Sequence, residues 1–186
     1  MPLVLNQFHR SNELIDLFRE LGFTTGAEIG VSKGNYAKVL CHGIPNLKLY
    51  CVDPWQTYKG YSEINDQAVM GDIFEQAKKK LAGFNCKIIR KTSMEAVKNF
   101  EPNSLDFVFI DGNHDFEYVI NDIISWMKVI RPGGILYGHD YHAGIADDES
   151  GNLNYAVQAY ANAYKIWPWF VLRARRTGAC WMWVKQ

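Results

Sequence analysis

Two aspartates and two histidines close two apolar runs in this sequence. Asp111 ends Leu105–Ile110 and leads into Gly112-Asn113-His114, and His139-Asp140 ends the run that starts after Pro132-Gly133-Gly134. Carboxylates in such places can hold a divalent cation or neutralise a cationic ligand, and an imidazole, titrating near neutrality, can take a proton from a hydroxyl. If the runs are parallel strands joined by a crossover helix, both tips meet at one sheet edge, where open α/β sheets bind ligands.

A second constellation lies upstream. Glu28 precedes a glycine turn, Gly30-Val31-Ser32-Lys33-Gly34, and Asp53 ends the next apolar run, 23 positions after Gly30. A glycine turn after one strand and an acid at the tip of the next grip an adenosyl ribose, the acid accepting from its diol. A pyrophosphate site asks for G-x-G-x-x-G, but Ser32 stands at the intervening position. Glu28 would also repel a pyrophosphate and suit a cationic ligand, so the pattern favours an adenosyl cofactor without phosphates.

These residues need a scaffold, and the periodicities supply one. Strands are expected at 27–31, 47–52, 86–90 and 105–110, with another leading to His139, and helices between them. Ser11 is a candidate cap for a helix carrying Leu14, Leu17, Phe18 and Leu21, which Gly22 ends; residues 1–23 are expected to supply a helix packed on the sheet. Residues 54–71, with Trp55, Tyr58 and Tyr61, read as a long loop or lid, and a helix follows over 72–82 with Lys78, Lys79 and Lys80 on a solvated face. Thr92-Ser93 would cap a helix starting near Met94. The next helix, 117–130, presents Ile120, Ile123, Met127 and Ile130, and Pro132-Gly133-Gly134 stops it. Asp115 and Asp122 read as helix-start and helix-packing residues. Residues 142–152 form another candidate lid, and a helix over 155–165 leads to two strand-like runs, 169–175 and 179–184, joined by Arg176-Thr177-Gly178. So short a connection makes an antiparallel hairpin, expected at the sheet edge. The expected fold is a single α/β domain over 1–186, a doubly wound, mostly parallel seven-stranded sheet with a C-terminal antiparallel hairpin.

Bulk properties narrow the function. Twenty Lys plus Arg balance twenty Asp plus Glu, so no global field draws nucleic acid or an anionic membrane, and neither is an expected partner. No segment approaches the ~20 apolar residues of a membrane span, and the first ten residues hold too short an apolar run for a signal peptide. Cysteines at 41, 51, 86 and 180 form no C-x-x-C pair and no dense framework, which fits a reduced, cytoplasmic chain.

With these motifs in order, the chain from Thr24 onward resembles the Rossmann-like class I S-adenosylmethionine-dependent methyltransferases. Glu28-Ile29-Gly30-Val31, Val52-Asp53-Pro54-Trp55, Phe109-Ile110-Asp111-Gly112-Asn113-His114 and the segment from Pro132 to Asp140 resemble the small-molecule and sugar O-methyltransferase branch that includes macrocin O-methyltransferase. The resemblance implies that Glu28, Gly30 and Gly34 border the cofactor's methionine end and turn, that Asp53 takes the ribose hydroxyls, that Ser93 and Met94 lie by the adenine, and that Asp111 sits near the methionine moiety or a metal. Replacing Asp53 is then expected to weaken binding with little loss of fold. Catechol O-methyltransferase-like enzymes use one Asp after the fourth strand and an Asp-Asn pair after the fifth. Asp111 and Asp140 match as ligands for Mg²⁺, but Tyr141 stands where Asn is expected, leaving His114 or water as third ligand.

The activity these residues imply is methyl transfer from S-adenosylmethionine to a hydroxyl of a small molecule, such as a sugar or a polyketide-linked sugar, with Mg²⁺ assistance left open. Candidate bases are His139, preferred for its strand-tip place beside Asp140, and His114; Asp111 completes the catalytic set. Methyltransferases that modify amide or ring nitrogens show an Asn/Asp-Pro-Pro-aromatic motif after the fourth strand, which Asp111-Gly112-Asn113-His114 does not match. The rival class is a non-catalytic protein binding S-adenosylmethionine or S-adenosylhomocysteine; it would need the cofactor half alone. A homodimer is left open as the assembly.

Overall fold

The computed structural model describes residues 1–6, 13–58, 64–141, 152–173 and 178–186. Ser11, Tyr61, the candidate lid over 142–151 and the Arg176-Thr177 turn lie outside these. Eight strands form one sheet: β1 (Leu3–Asn6), β2 (Thr25–Ile29), β3 (Lys48–Val52), β4 (Cys86–Ile89), β5 (Leu105–Ile110), β6 (Ile130–Gly138), β7 (Phe170–Arg173) and β8 (Cys180–Val184). Their spatial order is β1-β7-β8-β6-β5-β2-β3-β4. All neighbours run parallel except the β6–β8 and β7–β8 pairs.

The expected seven strands become eight because Leu3–Asn6 pairs in parallel with β7, Leu3 opposite Phe170. The N-terminal segment is thus a strand plus a helix, and the β7–β8 pair sits inside the sheet instead of at its edge. Four apolar-rich residues give too short a pattern to announce a strand, since the signal resides in a partner far along the chain.

Among the described residues six α-helices flank the sheet: α1 (Glu13–Glu20), α2 (Asn35–Gly43), α3 (Gln67–Leu81), α4 (Ser93–Ala96), α5 (Phe116–Val129) and α6 (Leu153–Ala163). Helices α1, α2 and α3 cover one face, burying Leu14, Phe18, Leu40, Ile73 and Ala77 against Leu49, Phe107, Phe109 and Tyr137. On the opposite face α5 and α6 bury Val119, Ile123, Trp126, Val157 and Tyr160 against Ala27, Val108, Leu136 and Trp183. Alternate strand residues feed the two cores, as the two-residue pleat requires.

Several boundaries differ from the sequence expectation, among them those of α3, α4 and α5, while α6 begins and ends two residues before the expected 155–165. Helix α3 starts at Gln67, five residues before Asp72, because Asp66 caps it by accepting from the Ala68 N–H. Helix α5 buries Val119, Ile123, Trp126 and Val129, with Ile120 and Met127 at the margin. It ends at Val129, and Pro132-Gly133-Gly134 lies within β6, where pairing with β5 shifts register between Leu105 and Phe107. That irregularity accommodates a proline that cannot donate to the ladder. Thr92 and Glu95 form a reciprocal capping box that starts α4 at Ser93. Among the described residues no helix is long and apolar enough to cross a membrane.

Candidate active site

Strand order reverses direction at the β2/β5 boundary, with β3 and β4 built outward on one side and β6 on the other. The carboxyl ends around such a switch point leave a crevice. Backbone bonds continue the ladder beyond the strands and fix the tips: Gly30 N–H to Val52 O (2.9 Å), Asp53 N–H to Ile89 O (3.2 Å), Asp111 N–H to Ile29 O (2.8 Å) and His139 N–H to Ile110 O (3.2 Å). The resulting cavity, about 830 Å³, is lined by Glu28, Gly30, Asp53, Ser93, Met94, Asp111, His114, Asp122 and Asp140, with Trp55, Tyr58, Asn113 and Tyr118 also on its walls. Its size falls within the range of small-molecule sites.

The glycine turn is held by Asp53. One carboxylate oxygen accepts from Val31 N–H (3.0 Å) and Ser32 N–H (2.9 Å), the other from Trp55 N–H (2.7 Å). Trp55, buried, completes a ring of bonds by donating its indole N–H to Ser32 O at 2.9 Å. Burial pushes the Asp53 carboxyl up, against the lowering effect of its Ser32, Trp55 and Val31 donors. Of roughly four acceptor sites on a carboxylate, three are used, so Asp53 can take about one further donor from a ligand. The expectation that its loss would spare the fold is therefore corrected: three backbone donors depend on it. Gly30 has φ 88°, and a Cβ there would lie 2.1 Å from the carbonyl oxygen of Asp111. Glycine is needed because the turn backbone lies directly against the tip of β5. Gly34, with φ 72°, closes the turn and opens α2. Glu28 is 2 % exposed and stands on β2 just before the turn.

On the other side of the switch point the side chains face one another. His139 Nδ1 lies 2.8 Å from one Asp140 oxygen and 3.8 Å from Asp111, and His114 Nε2 lies 3.5 Å from the other Asp140 oxygen. Asp140 adopts a positive φ of 55°. This conformation is uncommon outside glycine, though aspartate tolerates it better than most residues. Gly178 approaches so closely that a Cβ would fall 2.6 Å from Asp140 Oδ1.

Two expectations are revised here. Tyr141 contributes nothing to the cluster: its ring is buried against Trp169 at 5.7 Å between centroids, and its hydroxyl accepts from Gln158 Nε2. The donor placed with the two aspartates is His139, the three ligand atoms lying within 4.8 Å of one another. The two candidate bases also differ in placement. His114 lines the cavity whereas His139 sits behind Asp111 and Asp140, and its Nε2 is buried without a partner among the described residues.

Asp122 is a site residue that its sequence context did not reveal. It is 5 % exposed, accepts from the Ser93 hydroxyl through one oxygen, and Ser93 in turn accepts from the Trp126 indole N–H at 2.8 Å. Its other oxygen has no hydrogen-bond partner among the described residues and belongs to a side chain on the cavity wall. Burial raises its carboxyl to about 7, against the lowering effect of Ser93. An acid on the buried face of an amphipathic helix, three residues before Ser125 and four before Trp126, was the available signal.

A family profile described as a methyltransferase domain matches residues 27–141, a span that holds every strand tip described above together with Ser93, Asp122 and Trp126. The uncharacterized protein R132 of Acanthamoeba polyphaga mimivirus is 26 % identical over 138 residues, 72 % of this chain. The chain spans 58 % of that relative's length. Among solved structures, the O-methyltransferase of Bacillus cereus in complex with SAH superposes with a TM-score of 0.67 at 15 % identity, over 95 % of this chain and 80 % of that one. The O-methyltransferase TomG of Streptomyces achromogenes, involved in tomaymycin synthesis and solved with SAM, gives 0.68 at 13 % identity with the same coverage. At such identities the likeness concerns the fold.

Proposed function

From the premise that this chain belongs to the methyltransferase-domain family, we propose that it is an S-adenosylmethionine-dependent O-methyltransferase acting on a hydroxyl of a small molecule, of the sugar or polyketide-linked sugar class. One observation carries the reading. A single cavity is walled on one side by Glu28, Gly30 and Asp53 and on the other by Asp111, His114 and Asp140. A protein that merely bound the adenosyl ligand would need the first side alone.

In this reading Glu28 and Gly30 border the methionine end, and Gly34 closes the turn beneath it. Asp53 accepts one ribose hydroxyl with its remaining acceptor site, and Ser93 and Met94 flank the adenine. Asp122 receives the adenine amino group on its unbonded oxygen. Asp111 faces the sulfonium region, where a carboxylate offsets positive charge. The acceptor oxygen attacks the methyl carbon, the methyl–sulfur bond breaks and S-adenosylhomocysteine leaves. His114 takes the hydroxyl proton, its Nε2 oriented by Asp140 at 3.5 Å. His139 positions Asp140 from behind.

Asp111, His139 and Asp140 offer two hard oxygens and one imidazole nitrogen, a donor set that suits a divalent cation such as Mg²⁺ with waters completing its shell. Such a cation would supply a template for vicinal hydroxyls and lower the pKa of one of them.

The test is calorimetric titration with S-adenosylhomocysteine, followed by transfer of labelled methyl from S-adenosylmethionine to panels of sugar hydroxyls, vicinal diols and amines, with and without EDTA. Binding and label on hydroxyl acceptors are expected. No heat at saturating ligand would refute the adenosyl site, and label on amines alone would refute the hydroxyl class. Full activity in EDTA would remove the cation from Asp111, His139 and Asp140.

A further inference from the structure

Three of the four cysteines converge on one face of the sheet; none of them lines the cavity, and Cys51 stands opposite Glu28 in the β2–β3 pair. Cys51 on β3 and Leu49 face the same core, and Cys86 on β4 stands opposite Leu49, so the pleat turns all three side chains the same way. Helix α2 lies over that face and adds Cys41, whose Sγ is 3.4 Å from Cys86 Sγ. Cys51 and Cys86 sit on neighbouring strands and belong to the same core. Cys51 is fully buried, while Cys41 and Cys86 are each partly open to solvent. Cys180 lies on β8, separated from β3 by three intervening strands.

The arrangement is asymmetric in its chemistry. The Cys41 contact favours the thiolate at Cys86, whose pKa lies below the ordinary thiol value. Cys41 and Cys51 are shifted the opposite way, first by the Cys86 contact and then by burial. The nucleophilic sulfur is therefore the partly accessible one, with a second partly accessible thiol in van der Waals contact. This is the layout of an attacking and a resolving cysteine.

We propose that Cys86 and Cys41 form a redox site that is oxidised by a hydroperoxide to a reversible intramolecular disulfide. The Cys86 thiolate attacks the terminal peroxide oxygen; an S–O bond forms, the O–O bond breaks, and the leaving oxygen departs as an alcohol, or as water when the oxidant is hydrogen peroxide. Cys41 sulfur then attacks the Cys86 sulfenic sulfur; the S–S bond forms, the S–O bond breaks, and water leaves with the thiol proton. Two thiols lose two electrons and the peroxide gains them. The sulfurs, 3.4 Å apart, must close by about 1.4 Å to reach disulfide length. A dithiol reductant reverses the step by exchange. The site stands independently of the methyl-transfer reading.

The experiment exposes the native, reduced protein to one equivalent of hydrogen peroxide and then blocks remaining thiols with iodoacetamide. Intact mass and peptide mapping follow. The expected result is the loss of two hydrogens, a Cys41–Cys86 linkage, and its disappearance after dithiothreitol. Cys41→Ser should give no linkage and a Cys86 sulfenic acid that dimedone traps, and Cys86→Ser should give neither. A linkage through Cys51 or Cys180, dimedone label on Cys41 in the native protein, or recovery of all four free thiols would each overturn the proposal.

Discussion

The two sides of the cavity are built on opposite plans. On the β2–β3 side the carboxylate is anchored by backbone: Asp53 gathers three peptide N–H groups and Trp55 locks the turn through Ser32. On the β5–β6 side, the side chains of His114, Asp140, His139 and Asp111 contact one another, at 2.8–3.8 Å. Backbone anchoring suits a ligand that never changes, since its groups are placed before anything binds. A side-chain network suits proton movement, because each member can rearrange its bonds without disturbing the chain.

The largest expected effect comes from the residue where the two plans touch. Gly30→Ala puts a methyl group into the Asp111 carbonyl at a backbone angle alanine rarely adopts. Affinity for S-adenosylhomocysteine should fall at least about a hundredfold, with a lowered melting temperature, as a turn displaced by this much misplaces both walls. Wild-type affinity in calorimetry would show that the walls are independent.

A paired substitution sharpens the contrast. Asp53→Ala should weaken S-adenosylhomocysteine and also cost about 1–3 kcal/mol of stability in urea unfolding, since buried backbone donors lose their acceptor. Asp140→Ala should lower turnover by roughly 10²–10⁴ while leaving that affinity within a factor of a few. If Asp140→Ala instead destabilises the chain more than Asp53→Ala, the distinction between backbone-held and side-chain-held walls fails.

The smallest effect belongs to Asp122. Its folded carboxyl titrates near 7, raised from the ordinary value by burial. A raised acid favours the folded state while protonated, so its stabilising contribution is full below about pH 4 and is lost as pH rises through 7. Asp122→Asn should therefore melt a few degrees higher than wild type at pH 8, the gap closing toward pH 4. An ionised acceptor also suits an amino donor, so wild-type affinity for S-adenosylhomocysteine should rise between pH 6 and 8. A flat profile in both measurements would remove Asp122 from the base-binding wall.

The strand and helix alternation from Ala27 to Asp140 was legible because buried parallel strands and amphipathic helices carry strong periodicities. The strand tips were legible with it: Glu28, Gly30, Asp53, Asp111, His114, His139 and Asp140 were all singled out by their places at the ends of apolar runs. What escaped depends on tertiary contact. Tyr141 occupies a core position whose partners, Trp169 and Gln158, arrive from the last third of the chain. Whether His114 or His139 faces the cavity is decided by side-chain direction around an Asp140 with positive φ, and no spacing encodes that. Asp122 looked like an ordinary packing residue because its functional neighbour, Ser93, belongs to a different element.

The pairing of Leu3 with Phe170 also sets an order on the birth of the molecule. On the ribosome, β1 leaves the exit tunnel before β7 exists, and at roughly 5–20 residues per second its partner follows on the order of ten seconds later. Throughout that interval Leu3, Val4 and Leu5, still about two-fifths exposed in the finished sheet, are an unclaimed apolar ribbon. Its place in the sheet can be taken only once β7 has emerged.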